Sequence, residues 1–113
     1  MDRDERQFLL TAAWLFMRHG RRDRARSVCE ALCEANPRDG VAAVALAEIL
    51  FDDGNAREAL HVLRAADVPP SLAHAQAVLE TRALRSLGRG IDADLRWRRY
   101  VESRKGAGRR WVG

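Results

Sequence analysis

Positions 54–59 read GNAREA, and this segment decides the fold because its pattern returns at a fixed distance in both directions. Positions 20–25 read GRRDRA and positions 88–93 read GRGIDA, so a glycine is followed five residues later by an alanine in all three segments, which are equally spaced along the chain. Glycine ends a helix at little cost because it adopts left-handed backbone angles, and alanine lets two helices approach closely. The pattern predicts three helical hairpins, each turning at its glycine.

The distance from Gly20 to Gly54, and again from Gly54 to Gly88, is the length of the tetratricopeptide unit, which is a helix, a tight turn and a second helix. We predict an all-α fold of three tandem tetratricopeptide-like helical hairpins that form a short right-handed superhelix with a concave groove. One domain is expected over 1–107, with repeats at about 6–39, 40–73 and 74–107 and a flexible basic tail at 108–113. The apolar periodicity places helices at about 5–19, 22–36, 41–53, 56–67, 72–87 and 90–104.

Composition and charge limit the class of protein. Hydrophobic residues make up 47% of the 113 residues and charged residues 32%, which suits a folded domain and argues against disorder. No apolar run of membrane-spanning length occurs, so we expect no direct membrane insertion and a cytoplasmic location. Cys29 and Cys33, the only cysteines, are four residues apart on a predicted helix. We interpret them as small buried hydrophobic residues in a reducing compartment.

No motif for catalysis, cofactor binding or metal binding stands out, so we expect that the protein is not an enzyme and needs no cofactor. The strongest charge feature is the C-terminal part, since residues 82–113 hold 10 basic and 3 acidic side chains. The segment RWRRY at 96–100 could suit nucleic acid, but we interpret it as a solvated basic face, with Arg96 pointing outward and with Trp97 and Tyr100 pointing inward. We therefore expect no nucleic-acid partner.

The concave groove of such an array is built from the first helix of each hairpin, and the partner-facing positions there are mostly apolar. An exposed apolar groove marks a protein-binding site. We expect a partner helix or extended peptide to lie against Leu10, Trp14, Met17, Val41, Val44, Glu48, Phe51, Val78, Arg82 and Arg85. Trp14, Met17 and Phe51 would act as anchors, and the two arginines would pair with carboxylates. For Trp14 and Phe51 taken singly, ordinary packing between helices remains an equal alternative.

The stretch RQFLLTAAWL at 6–15, with His-Gly at 19–20, Arg-Ala-Arg at 24–26 and Asn-Pro at 36–37, resembles the SctY (YscY) proteins of bacterial type III secretion systems. These are short tetratricopeptide chaperones. The resemblance implies a cytoplasmic chaperone that forms a heterodimer with SctX, an early exported component, and helps to deliver it to the export gate protein SctV. A chaperone of a needle or translocator subunit and an unrelated tetratricopeptide scaffold remain open alternatives, as does self-association without the partner.

Overall fold

Six α-helices follow one another in a computed structural model that describes the backbone of residues 1–112 and the side chains of residues 1–106. The helices pair as three antiparallel hairpins, and a single 3-10 turn at Pro70–Leu72 precedes the fifth helix. The bounds are α1 Arg3–Arg18, α2 Arg22–Ala35, α3 Gly40–Asp52, α4 Ala56–Ala65, α5 Ala73–Ser86 and α6 Gly90–Val112. The predicted all-α fold of tandem hairpins is confirmed.

The three predicted glycine turns share one geometry. The glycine φ is 71° at Gly20, 85° at Gly54 and 75° at Gly88, all in the left-handed region. In each turn the backbone N–H of the following residue donates to a carbonyl five residues earlier, at 2.8 to 2.9 Å. This is the Schellman arrangement, which satisfies carbonyl groups that a helix end would otherwise leave unpaired. The glycine that recurs in the sequence therefore marks the same turn structure in all three hairpins.

The three alanines of the pattern lie where the two helices of each hairpin touch. Ala25, Ala59 and Ala93 are each at most 1% exposed. Since the side chain at this position is already in full contact with its surroundings, a larger one would have to push the helices apart.

Helix α3 forms the centre of the core. It packs against α2 of the first hairpin, against its own partner α4, and against α5 of the third. Most of its residues are consequently buried: Gly40, Ala42, Ala43, Val44, Leu46, Ala47, Ile49 and Leu50. A helix that is apolar on nearly every side is typical of a position with neighbours all round.

The start of α3 is fixed from two directions. The Asp39 carboxylate accepts hydrogen bonds from the backbone N–H of Ala42 at 3.2 Å and from the Arg6 guanidinium at 2.6 and 3.1 Å. The bond from Arg6 is the main reason that the pKa of Asp39 lies below its ordinary value. On the other side, Gly40 packs so closely against the connection after α4 that a Cβ there would overlap the carbonyl oxygen of Asp67.

The third hairpin contains a buried ion pair that the sequence did not predict. Glu80 of α5 is only 6% exposed, and its carboxylate accepts a hydrogen bond from Nε of Arg96 at 2.9 Å. A terminal guanidinium nitrogen of Arg96 lies 2.8 Å from the same carboxylate oxygen. The expectation that Arg96 belongs to the solvated outer face of α6 was wrong, because the buried carboxylate draws this arginine inward. Thr81, next to Glu80, is also buried, and its hydroxyl has no hydrogen-bond partner within the described residues.

The C-terminal helix α6 is the longest and runs to Val112. The sequence predicts a flexible basic tail at 108–113. The side chains of these residues and the backbone of Gly113 lie outside the described part of the chain. Among the described residues, no helix combines the length and the apolar character needed to cross a membrane.

Candidate protein-binding groove

A cleft of about 350 Å³ lies between α1 and α3. Its lining is almost wholly apolar and consists of Leu10, Ala13, Trp14, Met17, Cys29, Val41, Ala45, Glu48 and Ile49. A second, more open depression of about 430 Å³ shares Leu10, Trp14 and Val41 with it and extends the surface to Arg6, Gln7 and Thr11. We call the two together the α1–α3 cleft.

Helical spacing explains why these side chains meet. Leu10, Trp14 and Met17 stand at i, i+4 and i+7 on α1, so they share one face of that helix. Val41, Ala45 and Glu48 have the same spacing on α3 and form the opposite wall. Ala13, Cys29 and Ile49, which are at most 5% exposed, close the floor.

Trp14 is the most exposed large apolar side chain of the cleft, with 56% of its surface in solvent. The guanidinium carbon of Arg18 lies 4.9 Å from the centre of the indole ring, at the distance of a cation–π contact. Val41, on the facing wall, is 38% exposed. Both side chains thus offer apolar surface that the fold itself does not use.

Glu48 provides the one acidic group on the cleft lining. Its side chain is exposed, and it forms no ion pair with any residue in the range 1–106. An apolar cleft with one carboxylate at its edge suits an apolar surface that carries a basic group beside it.

The cleft contains half of the residues predicted for the groove, namely Leu10, Trp14, Met17, Val41 and Glu48. The others lie elsewhere. Val44 is in the core at 7% exposure, and Val78 is half-buried on α5. Phe51 is half-buried against the core, and the guanidinium carbon of Arg82 lies 4.8 Å from the centre of its ring.

Arg85, the last predicted groove residue, already has a partner within the chain. A terminal nitrogen of its guanidinium lies 3.0 Å from a carboxylate oxygen of Asp94 on α6. Both side chains are about three-fifths exposed, so water screens the pair, and it contributes little to stability. A carboxylate brought by a partner would have to share Arg85 with Asp94.

The floor of the cleft was missed by reasoning from the sequence. Its residues are buried, and a pattern of exposed groove positions on the first helices does not reveal them. Cys29 is one of them, and burial raises the pKa of its thiol to about 11. Burial has the same effect on Cys33. Both thiols are protonated at neutral pH and add apolar surface, and no group of three or more potential metal ligands occurs within the described residues.

Part of the chain is similar to a known family of repeat proteins. Residues 6–49 match the tetratricopeptide repeat. The matched segment covers the first hairpin and most of α3, which are the elements that form the α1–α3 cleft. The match supports a tetratricopeptide-repeat protein, and tetratricopeptide arrays typically act as scaffolds for protein–protein interaction. A comparison with curated proteins found no match, and a comparison with solved structures found none.

Proposed function

We propose that this protein is a tetratricopeptide chaperone that binds an amphipathic helix of a protein partner in the α1–α3 cleft. The observation that carries the proposal is the apolar lining of the cleft together with the exposure of Trp14, which is 56%. A large aromatic side chain left in solvent beside an apolar depression is the usual form of an anchor in a protein interface. An amphipathic helix would cover both by laying its apolar face into the cleft.

Residues at equivalent positions of the three repeats suggest the order of apolar, basic and acidic residues along the partner helix. Trp14, Glu48 and Arg82 are each one repeat apart and so occupy the same position on α1, α3 and α5. Crossing the concave face along this row, a partner would meet an aromatic ring, then a carboxylate, then a guanidinium. The complementary helix has large apolar residues at one end, a lysine or arginine after them, and an aspartate or glutamate beyond.

The resemblance to SctY supports a more specific role in type III secretion. The stretch at 6–15 that carries this resemblance also contributes Leu10 and Trp14 to the cleft. On this proposal the partner is an SctX-type exported protein, which the chaperone holds in the cytoplasm of a bacterium and helps to deliver to the export gate protein SctV.

The test is binding of a purified SctX-type protein from the same genome, measured by isothermal titration calorimetry. Replacing Trp14 with alanine should weaken binding by about 2 kcal/mol, or roughly 30-fold. Phe8→Ala is the matched control, because Phe8 is also an exposed aromatic residue of α1 at 72% but does not line the α1–α3 cleft. We expect Phe8→Ala to bind within about twofold of the unmodified protein.

Two outcomes would contradict the proposal. If the SctX-type protein does not bind at all, the type III role is wrong. If it binds but Trp14→Ala and Phe8→Ala have equal effects, the cleft is not the binding surface. Thermal unfolding of both variants shows whether either change acts through the fold, which we do not expect at positions so exposed.

A further inference from the structure

One face of α1 exposes apolar surface that the repeat normally buries. Phe8 is 72% exposed and Leu15 is 44% exposed. Their counterparts one repeat further along the chain are Ala42 and Ile49 of α3, which are 0% and 2% exposed. Ile49 packs in one cluster with residues of the first hairpin. The face of α1 with Phe8 and Leu15 is therefore the one that a preceding hairpin would cover.

The outer side of α6 likewise exposes an apolar side chain whose counterparts in the other hairpins are buried. Trp97 is 36% exposed, whereas its counterparts Cys29 of α2 and Leu63 of α4 are 1% and 0% exposed. Those two residues lie on second helices that a following hairpin covers. Trp97 instead packs against the rings of His74 and Tyr100, with ring centres 6.2 and 5.4 Å away. The outermost helices α1 and α6 thus expose apolar side chains at positions that are buried where hairpins meet inside the array.

Acidic side chains outnumber basic ones among the exposed charges at the start of α1, and basic side chains outnumber acidic ones on the described part of α6. At the start of α1, Asp2, Asp4 and Glu5 are exposed beside Arg3. Arg98, Arg99 and Arg104 of α6 are also exposed and form no ion pair with any residue in the range 1–106. Within the array, α3 follows α2 after a short turn, and so the start of each first helix lies near the end of the second helix before it. The same stacking between two molecules would place the acidic start of α1 near the basic part of α6.

The register also pairs specific side chains across such a junction. Between the first two hairpins, Arg6 of α1 binds Asp39 at the start of α3 at 2.6 Å. The residue equivalent to Arg6 on the third hairpin is His74, and the residue equivalent to Asp39 on the first hairpin is Glu5. A second molecule stacked in register brings its Glu5 to His74. An imidazole N–H can donate a hydrogen bond to a carboxylate.

We propose that the protein associates head to tail with a second copy of itself, with the α1 face of one molecule against the α6 end of the other. Phe8 and Leu15 pack on Trp97 and its neighbours, and the acidic and basic ends fix the register. Phe8 and Trp97 are much larger than Ala42 and Cys29, their counterparts at the internal junction, so the two molecules lie farther apart than two hairpins within one chain. Because a head-to-tail contact leaves both outer ends open, further copies can add.

This association uses surfaces outside the α1–α3 cleft, so it does not depend on the proposed chaperone function. It is tested by sedimentation velocity and light scattering of the full chain at concentrations up to about 200 µM, which detects contacts weaker than micromolar. We expect the average mass to rise with concentration in about 0.05 M salt and to fall towards that of the monomer in about 0.5 M salt, because the exposed charges are then screened.

Two complementary variants distinguish this geometry from a face-to-face dimer. Phe8→Asp removes one half of the junction and Trp97→Asp removes the other, so each variant alone should remain monomeric. A mixture of the two should form one-to-one dimers through the intact halves. Glu5→Lys, at an exposed position that does not affect the core, should weaken association about as much as high salt does. Trp14→Ala should leave it unchanged.

The proposal is overturned if the unmodified protein stays monomeric at the highest concentration in low salt. It is equally overturned if Trp97→Asp, shown to be folded by circular dichroism, associates as well as the unmodified protein, or if the mixture of Phe8→Asp and Trp97→Asp remains monomeric while the unmodified protein associates. Should Trp97→Asp not fold, the response to Glu5→Lys decides, and an unchanged mass for this variant refutes the proposal.

Discussion

Removing Arg96 should destabilise the fold far more than removing an arginine from a surface pair. The Glu80 side chain is 8% exposed and that of Arg96 is 23% exposed, so Arg96→Met leaves a carboxylate in the protein interior without its main partner. Breaking a buried pair in this way costs about 3 to 5 kcal/mol. Arg64, whose Nε lies 4.0 Å from the other carboxylate oxygen, compensates in part. We therefore expect about 3 kcal/mol, the lower end of that range.

The assay is urea unfolding monitored by circular dichroism, with thermal unfolding as a second measure. A loss of about 3 kcal/mol should lower the melting temperature by about 12 °C in a chain of this size. The double variant Glu80→Leu with Arg96→Met removes both charges and should recover to within about 1 kcal/mol of the unmodified protein. Arg85→Met is the matched control, since the Arg85–Asp94 pair is exposed on both sides and its loss should cost less than about 1 kcal/mol.

The reasoning is refuted if Arg96→Met costs no more than Arg85→Met. It is also refuted if the double variant is as unstable as Arg96→Met alone, because the cost would then come from lost packing around the arginine stem and not from the isolated carboxylate.

Two further predictions concern the start of α3 and the glycine turns. Gly40→Ala should lower the free energy of unfolding by about 3 kcal/mol, because the new Cβ overlaps the Asp67 carbonyl. Gly54→Ala has nothing within 4 Å of its Cβ and should cost only about 1 kcal/mol of backbone strain. Urea unfolding that ranks Gly54→Ala as the more damaging variant would contradict this prediction. Asp39 has a pKa below its ordinary value, so the stability it contributes is present above the ordinary carboxyl pKa of about 3.9 and is lost as the pH falls through the folded value. Asp39→Asn should therefore be less stable at neutral pH and should lose less stability on acidification, and parallel acid-unfolding curves for the two proteins would be the contrary result.

The sequence was sufficient to predict the hairpins because the features that set them are local. A glycine with positive φ and an alanine at the helix contact each act within a few residues, and both recur three times at one spacing. The ends of most helices could therefore be placed to within about two residues of those in the structure.

The groove was harder to predict because α3 is apolar on nearly every side. Periodicity can separate a buried face from an exposed one only where the two differ in polarity, and on α3 they hardly do. Val44 and Val41 look equivalent in the sequence, yet Val44 is in the core and Val41 is on the cleft wall. The position of Arg96 could not be predicted for another reason, since its carboxylate partner lies 16 residues away on another helix.

The central position of α3 also affects how the protein moves. In an array where each hairpin contacts only its neighbours, the terminal hairpins have one junction to hold them and the middle hairpin has two. Backbone amides of α3 should therefore exchange with solvent most slowly, and those of α1 should open more easily. Since α1 supplies Leu10, Trp14 and Met17 to the cleft, a bound partner holds a terminal helix in place. Slower hydrogen exchange of the α1 backbone amides then reports directly that a partner is bound in the α1–α3 cleft. The apparent stability of the first hairpin also rises with the concentration of the partner.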